Sequence, residues 1–234
     1  MEEEASGCCP VAINGARLLA LKEGALFWPE RALLVLADLH LEKGSSFAAR
    51  GSPLPPYDTR ATLARVEALI AAHSPRRILA LGDSAHDAGA EDRMAPSDAR
   101  ILRRLVDGRE WIWILGNHDP EPPSGWGGSR EPEWREGNLI FRHETLRDRG
   151  GHGEISGHFH PKACVWSPAA RAIRRCFVTD GRRLIMPAFG AYAGGLDALD
   201  PAIDSQFPGG FIALLLGAER VHPVRRGQLV AIGA

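Results

Sequence analysis

Thiols are scarce in this chain. Its 234 residues hold four cysteines, at positions 8, 9, 164 and 176, and no two of them form a CxxC pair. Adjacent Cys8 and Cys9 are poorly placed to grip one ion together, so a thiolate zinc site is excluded and any metal must be held by nitrogen and oxygen. Reduced, scattered thiols suit a cytosolic protein. Long apolar runs are missing as well. "ALLVLA" and "FIALLLGA" are the longest, and both are far too short to cross a bilayer. The N-terminal "MEEEASGCCP" is acidic and has no apolar core, which excludes a secretory signal. A cytoplasmic location is therefore expected. Excess charge is missing too: 28 Lys and Arg face 29 Asp and Glu, for a net charge of -1. No global field selects nucleic acid or membrane, and an anionic partner has to be drawn by a local patch. The chain shows no repeat and no low-complexity linker.

What is present reads as one α/β domain covering residues 1–234. "ALLVLADLH" (32–40), "RRILALGDSAHD" (76–87) and "EWIWILGNHDP" (110–120) are buried strands that run into polar residues. Between them lie two helical patterns. Residues 55–73 carry an apolar stripe of Leu63, Val66, Leu69 and Ile70, with Asp58 or Thr59 as N-cap. Residues 96–108 have Ser97 as cap and Gly108 as stop. Residues 121–137, rich in Gly, Pro and Glu, read as a long loop. The second half changes to short strands divided by turn residues: "NLIFRHE", "GEISGHFHP", "ACVWSP", "RCFVTD", "RRLIMPAFG", "GGFIALLLG" and "RVHPV". The order β-α-β-α-β followed by strands predicts two sheets packed face to face with helices outside. The stretch after His160 is long enough to complete the second sheet and leaves little for a separate capping domain.

Five strand ends finish in Asp, Asn or His: Asp38-Leu39-His40, Asp83-Ser84-Ala85-His86, Asn117-His118-Asp119, Arg142-His143-Glu144 and His158-Phe159-His160. Ligand crevices in α/β sheets form at the C-terminal ends of strands. Seven metal-competent side chains therefore converge on one rim: Asp38, His40, Asp83, Asn117, His143, His158 and His160. Each Asp or Asn taken alone reads as a turn residue. Five strand ends in a row resist that explanation. In "GHFHP", His158 and His160 point the same way if the backbone is extended, and Pro161 then ends the strand.

DLH, GDSAH, GNHD, RHE and GHFH, in this order and strand context, resemble the calcineurin-like metallophosphoesterase superfamily. "LLVLADLHLEKGSSFAARG", "SGHFHPKACV", "RRCFVTDGRRLIMPAFGAYAGGLD" and the late "FIALLLG" are most similar to the bacterial ligase-associated DNA damage response endonucleases. The resemblance implies an αββα four-layer sandwich and two divalent metal ions, Mn(II) first, with Fe or Zn as alternatives. It implies that Asp83 bridges the ions. Asp38, His40 and His160 would complete one set of protein ligands, and Asn117, His143 and His158 the other. It gives His118 the task of stabilising developing charge or protonating the leaving oxygen, with His86 orienting it. Asp119 and Glu144 are expected behind the ligands, fixing a histidine tautomer. The implied activity is manganese-dependent cleavage of DNA, single strands by preference, in a repair setting shared with a DNA ligase.

Protein phosphatases of the superfamily carry GD-x-V-D-R-G, whose Arg clamps a phosphate dianion. Here the block is "GDSAHDAG", with Asp87 in the Arg position. A carboxylate there repels a monoester dianion more than a diester, which favours a diesterase. Lys43 and Arg50, on a segment expected to turn back across the site, are candidate phosphate contacts. The arginines at 174, 175, 182 and 183 are a second possibility. Trp126 and Trp134 read as pins for the long loop, with stacking on unpaired bases as the alternative. Two other functions compete: a small-molecule phosphodiesterase acting on cyclic nucleotides or similar esters, and a scaffold of this fold that has lost its ions.

Overall fold

The computed structural model describes residues 7–52, 54–55, 57–146, 150–166 and 171–233. Its first sheet is built from β1 (Cys8–Ile13), β2 (Ala16–Leu21), β3 (Leu26–Trp28), β4 (Leu33–Ala37), β5 (Arg77–Leu81), β6 (Glu110–Ile114) and β7 (Ser129–Glu131). They lie side by side in chain order. The first four meander antiparallel, and β4 to β7 run parallel. The second sheet follows the order β15 (Val221–Arg225), β14 (Ile212–Leu216), β12 (Arg171–Thr179), β13 (Arg183–Ile185), β10 (Gly153–Ser156), β9 (Leu139–Arg142) and β8 (Trp134–Glu136). β11 (Lys162–Trp166) pairs β12 off this path. Strands β9, β10 and β13 are parallel, so both sheets are mixed.

The buried strands are apolar on both faces because each face meets a different layer. In β4, Leu33, Val35 and Ala37 point between the sheets, whereas Leu34 and Leu36 point outward. The same two-residue alternation splits Leu79 and Leu81 from Ile78 and Ala80, and Ile112 and Ile114 from Trp111 and Trp113. The second sheet answers the inner set with Leu139, Phe141, Ile155, Phe177 and Leu214. Outside the first sheet pack α2 (Asp58–His73), through Leu63, Val66 and Leu69, and, after the one-turn α3 (Ala90–Arg93), α4 (Pro96–Asp107), through Leu102, Leu105 and Val106. The outer face of the second sheet, with Cys176, Val178, Ala213 and Leu215, is covered by Ile203, Phe207 and Phe211 around the one-turn helix α5 (Pro201–Asp204). The sandwich has its four layers, the last one thin.

Several local expectations change. The segment after His40 is a helix, α1 (Lys43–Ala49), not a loop turning over the site. Gly44 lies inside it because Asp58 comes too close for a side chain: the Gly44 N–H donates to Asp58 Oδ2 at 3.0 Å. Asp58 and Thr59 therefore serve α1 rather than capping α2, with Thr59 Oγ1 accepting from the Glu42 N–H at 2.8 Å. Helix α4 begins at Pro96 with Ala95 as its cap. Ser97 lies within the first turn and accepts from Arg60. Residues 121–137 are only partly loop, since they contain β7, β8 and a 3₁₀ turn at Ser124–Trp126. Trp126 is buried against Trp113, 5.7 Å between ring centroids, and Trp134 lies half-buried beneath Arg77. Neither is a stacking platform. No helix among the described residues is long and apolar enough to cross a membrane.

Candidate metal centre

The parallel strands of both sheets end at one seam, and the polar residues follow directly. Asp38 comes after β4, Asp83 two residues after β5, Asn117 after β6, His143 after β9 and His158 after β10. The chain turns there in an unusual way. Nine non-glycine residues among those described have positive φ, and five are Asp38 (53°), His40 (43°), Asp83 (46°), His158 (70°) and His160 (49°). Each left-handed residue costs roughly 1–2 kcal/mol, less for Asp, whose side chain suits it. Strain of this kind persists only where packing imposes it, and it concentrates at functional sites. His158 and His160 are accordingly not neighbours on an extended strand. β10 has already ended, and two left-handed turns aim the rings instead. At Gly157 a Cβ would lie 2.5 Å from Asp38 Oδ2, so the glycine admits the carboxylate.

All seven candidate ligands come together. Asp38 Oδ1 is 3.2 Å from His160 Nε2, which is 3.4 Å from His40 Nε2, and His40 Nε2 is 3.9 Å from Asp83 Oδ2. These four residues form one ligand-like cluster. Beside it, Asn117 Oδ1 is 2.8 Å from His143 Nε2 and 3.0 Å from His158 Nδ1. The two imidazole nitrogens are 3.2 Å apart, and Asp83 Oδ1 is 3.5 Å from His143 Nε2. Asp83 thus shows one oxygen to each group.

The hydrogen-bond chemistry tests whether cations fit here. His143 Nδ1 lies 3.0 Å from the Leu81 carbonyl and must donate to it. With the ring neutral, as ligation requires, its Nε2 presents a lone pair to Asn117 Oδ1 and Asp83 Oδ1, which are acceptors as well. Electron-rich atoms converging on each other repel unless a cation lies among them, and such a donor set of imidazole, carboxylate and amide suits first-row divalent ions. Burial favours the neutral imidazoles that ligation requires. His40 is held down to about 2 by burial first and then by the nearby His160. Burial and the neighbouring His143 also lower His158.

Behind the cluster, Asp119 does not fix a histidine as expected. Its Oδ2 accepts the N–H groups of Ser84 (2.8 Å) and Ala85 (3.0 Å), bracing the turn that carries Asp83. Burial, with Asp83 adding to it, lifts its pKa to about 6. Glu144 is exposed and reaches His158 only through its charge. Backbone carbonyls do the orienting: Leu81 holds His143, and His86 holds His118, whose Nδ1 is 3.1 Å from its oxygen. Such acceptors carry no sequence signal. The His118 ring is exposed, stacks on His86 (5.5 Å, 21°) and meets His40 edge-on at 5.2 Å. Burial lowers the pKa of His86, and Lys43 adds to the effect.

Asp87 is not a bare charge. Arg93 and Ser46 each donate to it at 2.6 Å, and Arg50 lies 3.8 Å away. The repulsion of a dianion expected from the sequence is largely neutralised, so that support for a diester disappears. Lys43 sits half-buried within electrostatic reach of His40 and His86. Arg50, at the end of α1, is exposed beside Asp87. The segment after β13 supplies no candidate ligand, yet it stitches the seam. Met186 N–H donates to Ser156 O (2.7 Å), Phe189 N–H to Ala37 O (2.8 Å) and Gly190 N–H to Asp38 O (3.1 Å).

The family model described as calcineurin-like phosphoesterase matches residues 32–177. No curated protein matches the chain. The crystal structure of the nuclease MPE of Pseudomonas putida superposes with a TM-score of 0.72 at 29% identity, covering 93% of this chain and 100% of that one. Yfce, a phosphoesterase from E. coli, gives 0.42 at 13% identity, covering 82% and 98%.

Proposed function

The chain belongs to the calcineurin-like phosphoesterase family, and from that premise we propose that it is a two-metal phosphodiesterase that cleaves single-stranded DNA. The observation that carries the metal reading is Asp83, with one oxygen facing His40 and the other facing His143, between two clusters of side-chain nitrogen and oxygen donors that suit divalent ions. Asp38, His40 and His160 would hold one ion with Asp83; Asn117, His143 and His158 would hold the other. Bound there, two divalent ions supply Lewis acidity and a strongly nucleophilic water. The protein's own residues do the rest. Asp119 keeps the Asp83 turn rigid. His118, anchored through Nδ1, turns Nε2 outward to stabilise the phosphoryl charge or deliver a proton to the leaving oxygen. Lys43 and Arg50 attract the strand.

DNA as substrate is supported by the similarity to a nuclease over the full length of that protein. Manganese, a place in DNA repair alongside a ligase, and an uncapped single domain open to flexible strands extend the same reading. The test is a cleavage assay on single-stranded, duplex and cyclic-nucleotide substrates across divalent metals, after exhaustive chelation. Manganese should restore cleavage of the single strand best. Full activity in excess chelator would end the metal reading, and turnover of the cyclic nucleotide alone would replace DNA by a small ester.

A further inference from the structure

Four cations near the metal centre have no task in the reaction described so far. Lys22, Lys162, Arg174 and Arg175, with Ile173, Leu216, Gly217 and Ala218, line a cleft of about 500 Å³ between the end of β2, β11, β12 and the turn after β14. No acid lines it. None of the four lies within ion-pair distance of a carboxylate among the described residues. Arg175 donates to the Ala188 carbonyl (2.7 Å) and Arg174 to the Ile173 carbonyl (2.9 Å), neither of which neutralises a charge. Asp197, next to Lys162 through backbone pairing, accepts N–H groups of Leu199 (3.0 Å) and Ile232 (2.6 Å).

The strand register makes the crowding deliberate. Lys162 and Arg175 are direct cross-strand partners, and like charges directly opposite each other destabilise a sheet. A chain with net charge -1 has acids enough to separate such a pair, yet none lies within ion-pair distance of it among the described residues. The cleft adjoins the metal centre along the chain, since Lys162 stands two residues after His160. An uncompensated group of cations of this kind is neutralised from outside, by an anion. Arginines and lysines with free donors suit phosphate oxygens.

We propose that this cleft is a phosphate-binding subsite that seats the backbone of the substrate strand beside the metal centre. The inference rests on the phosphodiesterase reading above and deepens it. It names the contact that separates a polymeric substrate from a small ester.

The experiment compares wild type with Lys22→Gln, Arg174→Gln and the double variant on two substrates with manganese. One is bis(p-nitrophenyl) phosphate, which spans only the metal centre; the other is a single-stranded oligonucleotide. The ratio of kcat/KM for the strand to that for the small diester should fall roughly two- to fivefold per cation removed, the scale of one exposed ion pair. The salt dependence of the strand's kcat/KM should flatten by about 0.7 per lost contact. Arg174→Lys should recover the slope. An unchanged ratio and slope in the double variant of a strand-cleaving enzyme would overturn the subsite. Wild type that turns over the small diester but leaves the strand intact would instead overturn the DNA reading, a different and recognisable result.

Discussion

Replacing Glu154 by Ala should destabilise the protein severely, although the residue is no candidate ligand. Glu154 is fully buried in β10. Its Oε2 accepts from Arg183 Nε (2.8 Å) and Thr145 Oγ1 (2.5 Å), its Oε1 accepts from the Leu146 N–H (3.0 Å), and Arg142 lies 3.6 Å away. Arg183, itself almost buried, also donates to the Leu146 and Gln206 carbonyls. Truncation leaves that guanidinium without its counter-charge, a loss of about 3–5 kcal/mol. In a domain of this size each kcal/mol lowers Tm by about 2–4 °C, so the fall should be roughly 6–20 °C. Urea unfolding followed by fluorescence of the six tryptophans measures it. The pair Glu154→Leu with Arg183→Met should recover most of the loss, because removing both charges also removes their desolvation. A loss below about 1 kcal/mol for Glu154→Ala would refute the claim that this network is buried and coupled.

His118→Ala should retain both ions by elemental analysis while kcat falls ~10²–10⁴-fold, the usual contribution of a proton-transfer group. Loss of metal together with activity would make His118 a ligand instead. Gly157→Ala should push Asp38 aside, and manganese titration should show weaker binding. A wild-type isotherm would mean that the Asp38 carboxylate tolerates the methyl group 2.5 Å away. Lys43→Ala should reduce the salt slope of single-strand binding by about 0.7. Arg50→Ala should change it less, because Asp87 already faces Arg50. Equal effects of the two would count against this difference.

The layers were legible because apolar runs such as "LLVLA" and "RILAL" must bury both faces, and both do. Their polar endings were legible for the same reason, since a strand that stops being apolar has reached a rim. What was hidden depends on contacts distant in sequence. The segment after His40 reads as a turn back across the site and is in fact a helix in which Gly44 leaves room for Asp58. Asp119 reads as a partner for a histidine, but the Ser84 and Ala85 amides lie closer in space. Asp87 reads as a free carboxylate until Ser46, 41 residues before it, donates to it alongside Arg93. The HxH pair reads as extended because alternation is the simplest way to align two side chains. Two left-handed residues reach the same end by a route that no periodicity reveals.

The position of the centre on the seam has a thermodynamic consequence. Asp38, His40, Asp83 and Asn117 descend from the first sheet, and His143, His158 and His160 from the second. Ions held by both, as proposed, would act as rivets between the halves of the core, because neither sheet alone carries a complete proposed ligand set. Each filled site adds RT ln(1 + [M]/Kd) to the native state, about 2.7 kcal/mol at a hundredfold excess over Kd. Metal starvation would then loosen the docking of the two sheets as well as silence the chemistry. Protease resistance at the seam should track the supply of free metal.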